Sequence, residues 1–149
     1  MPEYLEITID KFTFKVALDR WYNPEGVWAK EEGPSIRIGL SDYLQQHSGD
    51  IAFVELKPLV TDLKKNDEFA SVETIKVDIT LFSPLAGKLV AVNSRLGLSP
   101  EIINQDPYGD GWLCEIEPAN WDMDRSKLLQ AEDYFNKMKQ EAEEEVRRK

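Results

Sequence analysis

The sequence predicts a mainly β protein with a few short helices and an amphipathic helix at its C-terminal end. Over the first 120 residues, apolar and polar residues alternate in short stretches, which is typical of strands. The 8 Gly and 8 Pro separate these stretches, as turns do. From about 124 to 148, apolar residues instead recur every three or four positions, which indicates one apolar face of a helix.

The elements follow from local patterns along the chain. Ser41 is expected to cap a short helix over 42–47, and Gly49 to end it in the left-handed conformation. A helical turn is expected near 99–103. The last turns of the C-terminal helix, 141–149, have little apolar surface and are expected to fray. Strands are expected within 4–18 and at 28–30, 36–40, 51–56, 68–75, 77–82, 89–92 and 112–116.

Length and composition predict one domain, residues 1–149. A chain of this length buries about 68–70% of its unfolded surface, and 42% hydrophobic residues supply a core. The net charge of −10 disfavours a nucleic-acid partner. No apolar run is long enough to span a bilayer, and the N-terminal residues lack the pattern of a signal peptide. The single cysteine, Cys114, cannot form an internal disulfide, so a cytoplasmic location is expected.

Lys76 is the strongest candidate for a functional residue. It lies midway between a turn signal at Asn66 and Gly87, between two runs rich in β-branched residues. This spacing places Lys76 at the tip of a two-stranded hairpin, exposed on a rigid stem. A modifying enzyme and a swinging prosthetic arm both require such a position. An unmodified lysine at a hairpin tip is also common.

The region around Lys76 resembles the lipoylation segment of the H protein of the glycine cleavage system. Family members have a V-E-S-V-K-A segment there, followed by a P-x-x-G turn. The resemblance covers about residues 22–135, in several ordered blocks. The matching segments are 72–76 (VETIK), 83–87 (SPLAG), 38–43 (IGLSDY), 49–56 (GDIAFVEL), 104–113 (NQDPYGDGWL), Val92-Asn93, Leu128-Leu129 and 132–134 (EDY).

The resemblance implies a lipoyl-domain-like hybrid of barrel and sandwich that carries lipoic acid in amide linkage on Lys76. The chemistry then belongs to the cofactor, and the protein acts as a carrier subunit rather than an enzyme. Glu73 would orient the arm or guide the ligase, although a solvated strand residue is an equal alternative. His47 stands where some members have a histidine near the loaded arm. The implied partners are a lipoate ligase or lipoyl transferase, dihydrolipoamide dehydrogenase and the pathway enzymes.

Two departures from the family pattern leave the cargo open. Val27 stands where the family has a carboxylate that helps to hold a cationic aminomethyl group, and Thr80 replaces a second acidic residue. The pathway enzymes would be the P and T proteins of glycine cleavage. Alternatively, the chain resembles the lipoate-binding relatives that act with heterodisulfide-reductase-like complexes, in which the arm carries sulfur. The replacement of Gly by Asn66 in the middle turn is mild, since Asn tolerates positive φ.

Other functions remain as alternatives. An interaction scaffold with an unmodified Lys76 would tolerate Lys76→Arg. A biotin carrier typically has Met on both sides of its lysine, where this chain has Ile75 and Val77. An autonomous enzyme is disfavoured by the single histidine and single cysteine, although acidic residues are abundant. Neither a catalytic triad nor a metal site can be assembled around His47, and Asp106 and Asp110 are expected to form a turn.

Overall fold

The computed structural model describes residues 3–148. Met1, Pro2 and Lys149, the ends of the predicted domain, lie outside the described residues. The strands are β1 Tyr4–Ile9, β2 Phe12–Ala17, β3 Trp21–Tyr22, β4 Val27–Glu32, β5 Ser35–Leu40, β6 Ile51–Leu56, β7 Asp62–Leu63, β8 Glu68–Thr74, β9 Asp78–Phe82, β10 Gly87–Val92 and β11 Cys114–Pro118. The helices are α1 Asp42–Ser48, α2 Ile102–Gln105, α3 Trp121–Arg125 and α4 Ala131–Arg147, with a 3-10 turn at Ser94–Gly97.

Two antiparallel sheets enclose the main core. One sheet has the strand order β3-β4-β5-β11-β10-β7, and the other has the order β6-β8-β9. The inward residues of both sheets are apolar and buried, among them Ile38, Phe69, Val72, Leu89 and Ile116. This arrangement confirms the prediction of a mainly β fold with short helices and a C-terminal helix.

The short helix α1 begins at Asp42, as predicted, and ends at Ser48, one residue later than predicted. Ser41 Oγ accepts a hydrogen bond from Leu44 N at 3.2 Å, which caps the helix. Gly49 follows it with φ of +88° and ψ of −168°, so its φ is positive but its ψ lies outside the predicted left-handed conformation. Asn66 has φ of +74° in the turn before β8, in agreement with the expectation that asparagine can adopt a positive φ at this position.

The predicted C-terminal helix over 124–148 is wrong at its start, because this segment contains two helices. Asn120 caps the short helix α3, and α4 begins only at Ala131. Between them, Leu129 and Tyr22 exchange two backbone hydrogen bonds, of 2.8 and 2.9 Å. This pairing keeps the chain extended at Leu129. The helix predicted from the spacing of apolar residues therefore does not form there. No helix among residues 3–148 combines the length and the apolar character that a bilayer crossing needs.

A second core joins the hairpin β1–β2 to α4. The rings of Tyr22 and Tyr134 stack with centroids 4.5 Å apart, and Met138 is fully buried. Ala142 is also buried, and α4 continues to Arg147. In the described part of 141–149 the hairpin covers Ala142, whereas residues 144–148 are exposed, so fraying of this end stays a prediction.

Candidate functional site

Lys76 lies at the tip of the hairpin formed by β8 and β9. The strands are paired up to Glu73 and Asp78, and β8 is paired on its other side with β6. Val72 and Leu81 are buried beneath this three-stranded sheet. The strand pairing and the core together make the hairpin a rigid stem for the residues at its tip.

Thr74 organises the turn that presents Lys76. Its Oγ1 donates a hydrogen bond to the Val77 carbonyl at 2.9 Å. The same oxygen accepts from the backbone N–H groups of Lys76 and Val77 at 3.2 and 3.0 Å. Ile75 N donates to the Asp50 carbonyl at 3.3 Å, which fastens the turn to the start of β6. The backbone of Lys76 is thus held while its side chain stays exposed.

The side chain of Lys76 passes over the end of α1. Its Cε would lie 3.7 Å from a Cβ atom placed on Gly49. Within residues 3–148, the Lys76 ammonium group forms no salt bridge. The amine is therefore available to a modifying enzyme.

Asn104 supports the backbone beneath Lys76. Its amide nitrogen donates to the Gly49 carbonyl at 3.0 Å and to Gln45 Oε1 at 2.9 Å. Its amide oxygen accepts from Ile51 N at 3.0 Å. One amide thus joins the end of α1 to the start of β6, a role that no local sequence pattern indicates.

His47 lies in the last turn of α1, close to Lys76. Its ring stacks on that of Tyr43, with centroids 5.6 Å apart. Its Nδ1 is 3.2 Å from Oε2 of Glu145 on α4, and both side chains are about half exposed. A protonated His47 would form an ion pair there. The structure therefore places His47, Lys76 and Glu145 around one cavity, and a contact of His47 with the arm stays a prediction.

A cavity of about 130 Å³ lies beside Lys76. Three elements besides the Lys76 turn form its walls: the hairpin β1–β2, the helix α1 and the end of α4. Most of its lining is apolar or aromatic, and among the described residues Glu145 is its only carboxylate. The lining residues are Ile9, Phe12, Phe14, Tyr43, Gln46, His47, Lys76, Ala142, Glu145 and Val146.

Glu73 does not line this cavity. It is exposed on β8, where it pairs with Phe53 of β6 and Asp78 of β9. Phe53 is also exposed, so these side chains form a partly apolar, acidic surface next to the tip. The structure therefore places Glu73 near Lys76 in the hairpin but separates it from the cavity that Lys76 and His47 share.

The two departures from the family pattern lie in different environments. Val27 is fully buried in the main core, so this position does not reach the surface beside Lys76. Thr80 is exposed on β9.

Next to Val27, Gly26 has φ of +101°, and a Cβ atom there would lie 2.6 Å from the Tyr134 hydroxyl oxygen. The packing of α4 against this turn thus requires glycine at position 26.

Asp106 has the turn-forming role that the sequence predicts, and Cys114 lies in the core. Cys114 is fully buried, and burial raises the pKa of its thiol. Asp106 Oδ2 accepts a hydrogen bond from Asp110 N at 2.7 Å and closes a turn. Among residues 3–148, no three His, Cys, Asp or Glu side chains are grouped to hold a metal ion.

Sequence reasoning missed the cavity lining contributed by the two ends of the chain. The sequence pattern marks Phe12 and Phe14 only as alternating strand residues, and Glu145 only as part of a charged helix end. The tertiary packing of β1–β2 against α4 brings them together, and local patterns do not encode that contact. The apolar spacing of Ala142 and Val146 was the one signal that this end of the helix is covered.

Comparison with known proteins places most of the chain in one family. Residues 20–141 match the family model described as glycine cleavage H-protein. The glycine cleavage system H protein of Salinibacter ruber is 41% identical over 116 residues, which are 78% of this chain and 93% of that protein. The H protein of a strain of Thermus thermophilus is 38% identical over 124 residues, which are 83% of this chain and 96% of that protein.

A solved structure supports the same relationship. The crystal structure of a glycine cleavage system H protein from Mycobacterium marinum aligns with a TM-score of 0.73 and 28% sequence identity. The alignment covers 80% of this chain and 95% of that chain. The expectation of a lipoyl-domain-like hybrid of barrel and sandwich is confirmed by this likeness.

Proposed function

The chain belongs to the glycine cleavage H-protein family, and from that premise we propose that it is a lipoyl carrier with lipoic acid in amide linkage to Nζ of Lys76. One observation carries the proposal: Lys76 is exposed at the tip of a rigid hairpin within the residues that match the family. The site also fits the group, because a cavity with a mixed apolar and polar lining adjoins the amine. In this role the chain is a carrier subunit, and partner enzymes perform the catalysis.

The residues around Lys76 would present the arm to those enzymes. The attached dithiolane supplies reversible thiol–disulfide chemistry and group transfer. Thr74 holds the turn, so the attachment point has one orientation. Amide formation removes the charge of the Lys76 ammonium group, which makes its side chain compatible with apolar surroundings.

Glu73 and His47 would have separate roles. Glu73 lies on the outer surface of the hairpin with Asp78 and Phe53, where a lipoate ligase or lipoyl transferase would reach Lys76. Charged and apolar groups on one rigid surface favour recognition by such an enzyme. His47 lines the cavity beside Lys76 and would contact the arm itself.

Glycine cleavage is the pathway that the family relationship supports best. The partners would then be the P and T proteins and dihydrolipoamide dehydrogenase, and a cytoplasmic location stays a prediction. Glu145 would supply a carboxylate near a cationic aminomethyl cargo. Two observations favour the second candidate, a sulfur cargo with a heterodisulfide-reductase-like complex: Val27 is buried and supplies no carboxylate, and Thr80 is uncharged. Assay of the loaded protein with each set of partner enzymes separates these two pathways.

The attachment is tested by modification of the purified chain with lipoate ligase, ATP and lipoate. Lys76→Arg keeps the positive charge and removes the amine that accepts the acyl group. Lys11→Arg is a matched control, because Lys11 is also exposed in a hairpin turn. We expect one lipoyl group on the wild type and on Lys11→Arg, and none on Lys76→Arg. Equal modification of both variants would contradict the proposal, and function retained in Lys76→Arg would favour the scaffold.

A further inference from the structure

The Asp50 carbonyl is the point at which the Lys76 turn meets the body of the protein. It accepts the hydrogen bond of Ile75 N at 3.3 Å. The pairing of β6 with β8 shifts register between Ile51 and Phe53, and a shift of this kind disrupts the ladder locally. Strand pairing is therefore irregular just where the turn is fastened, and the carbonyl depends on a second support.

Asn104 supplies this support from both sides of Asp50. Its Nδ2 donates to the Gly49 carbonyl at 3.0 Å, and its Oδ1 accepts from Ile51 N at 3.0 Å. The N–H of Ile51 and the carbonyl of Asp50 belong to one planar peptide unit, in which they point in opposite directions. Asn104 therefore holds one side of the Asp50–Ile51 peptide unit, while Ile75 N is bound at the other side.

Asn104 is itself held in place. It lies in α2, where its backbone N–H donates to the Glu101 carbonyl at 3.0 Å. The preceding residue, Ile103, is fully buried in the main core. Its Nδ2 also donates to Gln45 Oε1 at 2.9 Å, which connects the amide to α1. The support is thus fixed by the core rather than by the hairpin, as the precise placement of a reacting group requires.

We propose that Asn104 is a positioning residue for the acylation of Lys76, and that it acts through the Asp50–Ile51 peptide unit. The inference rests on the proposed function, and it adds a residue that acts at the backbone rather than at the amine. In the acylation, Lys76 Nζ bonds to the carbonyl carbon of lipoate that ATP has activated as an adenylate. AMP leaves with the electron pair of the broken C–O bond, and the amine releases a proton. The rate of this attack depends on how Nζ is aligned, so a fixed tip favours it.

The test is the steady-state kinetics with which lipoate ligase, ATP and lipoate modify the full-length chain, with the chain as the varied substrate. Asn104→Ala keeps the acidic surface around Glu73, so it should still bind the ligase, but with Nζ of Lys76 aligned less often. We expect kcat to fall about threefold to tenfold, with KM within about twofold of the wild type. A mere loss of folded chain would instead raise KM, because saturation still fills the ligase with folded chain.

Asn93→Ala is the matched control. Asn93 is another asparagine whose amide joins separate segments of backbone. Its Nδ2 donates to the carbonyls of Asp110 and Trp112, both at 2.8 Å, and its Oδ1 accepts from Arg95 N at 3.1 Å. These contacts do not involve the hairpin tip. Asn93→Ala therefore loses hydrogen bonds of the same kind, and it should keep the wild-type kcat.

Gln45→Met is a second, milder variant. It removes one acceptor of Asn104 Nδ2 and keeps Asn104 itself, so kcat should fall in the same direction and by less. Circular dichroism confirms that each variant is folded, and Gln45→Met still tests the proposal where Asn104→Ala does not fold.

Amide hydrogen exchange gives a direct reading of the hairpin tip. The hydrogen bond of Ile75 N to the Asp50 carbonyl slows exchange of this amide. We expect the Ile75 amide to exchange faster in Asn104→Ala, measured relative to the amides of β8. In Asn93→Ala this ratio should stay at its wild-type value.

The outcomes separate the two proposals. A wild-type kcat in folded Asn104→Ala or in Gln45→Met would overturn the positioning role, and so would an equal fall of kcat in Asn93→Ala. Exchange of the Ile75 amide at the wild-type ratio in Asn104→Ala would also overturn it, while the carrier role stands. A wild-type chain that takes no lipoyl group on Lys76 would overturn both, so the two failures are distinguishable.

Discussion

The side chain of Lys76 lies over Gly49, and a Cβ atom at position 49 would be 3.7 Å from Cε of Lys76. Gly49 has φ of +88° and ψ of −168°, a conformation that is essentially confined to glycine. The end of α1 and the tip of the β8–β9 hairpin therefore meet at a residue that has no side chain. This close approach positions the candidate attachment site relative to His47 and the cavity.

Gly49→Ala should destabilise the protein through its backbone. A Cβ at 3.7 Å from Lys76 is an ordinary contact, so the cost comes from the strained φ and ψ, about 1–3 kcal/mol. Urea denaturation followed by circular dichroism measures this loss. Gly97→Ala is the control, because Gly97 faces open space without a positive φ. Equal stability of the two variants would show that position 49 carries no strain.

Ser41 and Tyr134 are expected to be energetically coupled. Their hydroxyl oxygens are 2.7 Å apart in a buried site, and Ser41 Oγ also caps α1. Ser41→Ala removes the cap and leaves the Tyr134 hydroxyl without its partner, which costs about 1–3 kcal/mol. In the double variant with Tyr134→Phe, the loss should be smaller than the sum of the single losses.

A double-mutant cycle by chemical denaturation measures this coupling, expected at about 0.5–3 kcal/mol. Ser126→Ala is the control, because Ser126 is exposed and donates only to a nearby carbonyl; its effect should stay within about 0.5 kcal/mol. Strict additivity of Ser41→Ala and Tyr134→Phe would show that the hydroxyl pair does not join α1 to α4.

The stability of the protein should fall at alkaline pH. Burial, with the carboxylates of Glu141 and Glu145 nearby, raises the pKa of Tyr43 to about 12 from its ordinary value of 10.0. Burial also raises the pKa of Tyr22, Tyr108 and Tyr134. Above pH 10.0 the unfolded chain therefore loses these protons first. The buried, protonated tyrosines thus make their full contribution to the free energy of unfolding below pH 10.0. This contribution declines as the pH rises towards about 12 and beyond.

Denaturation midpoints measured from about pH 8 to about pH 11.5, on both sides of the ordinary tyrosine pKa, check this dependence. Tyr43→Phe removes one of the titrating groups, so its midpoints should fall less steeply than those of the wild type. A wild-type stability that stays constant or rises across this range would contradict the assigned burial of the tyrosines.

Local patterns predict the parts of the fold in which neighbours in sequence are also neighbours in space. The β-branched runs around Lys76 predict β8 and β9, and the cap at Ser41 predicts α1. The start of α4 could not be predicted in this way, since the pairing of Leu129 with Tyr22 joins residues far apart in the sequence. At Leu129 the long-range backbone hydrogen bonds keep the chain extended, although the local spacing of apolar residues predicts a helix.

The residues of the candidate site likewise fall into two groups: those that the sequence predicts and those that only tertiary packing places. Lys76, Glu73 and His47 could be named from motifs, because the family resemblance places each of them by position. Glu145 and Phe12 could not, since they reach the cavity only through the packing of the chain ends. The position of Glu73 outside the cavity likewise depends on the register of β8 with β6 and β9.

The central claim, that Lys76 carries a lipoyl group, is tested most directly by the intact mass of the protein purified from its native host. Peptide fragmentation then locates any added mass. We expect one lipoyl adduct, placed on Lys76. An unmodified Lys76, in a host whose other lipoyl proteins are fully modified, would contradict the claim and would favour an interaction scaffold.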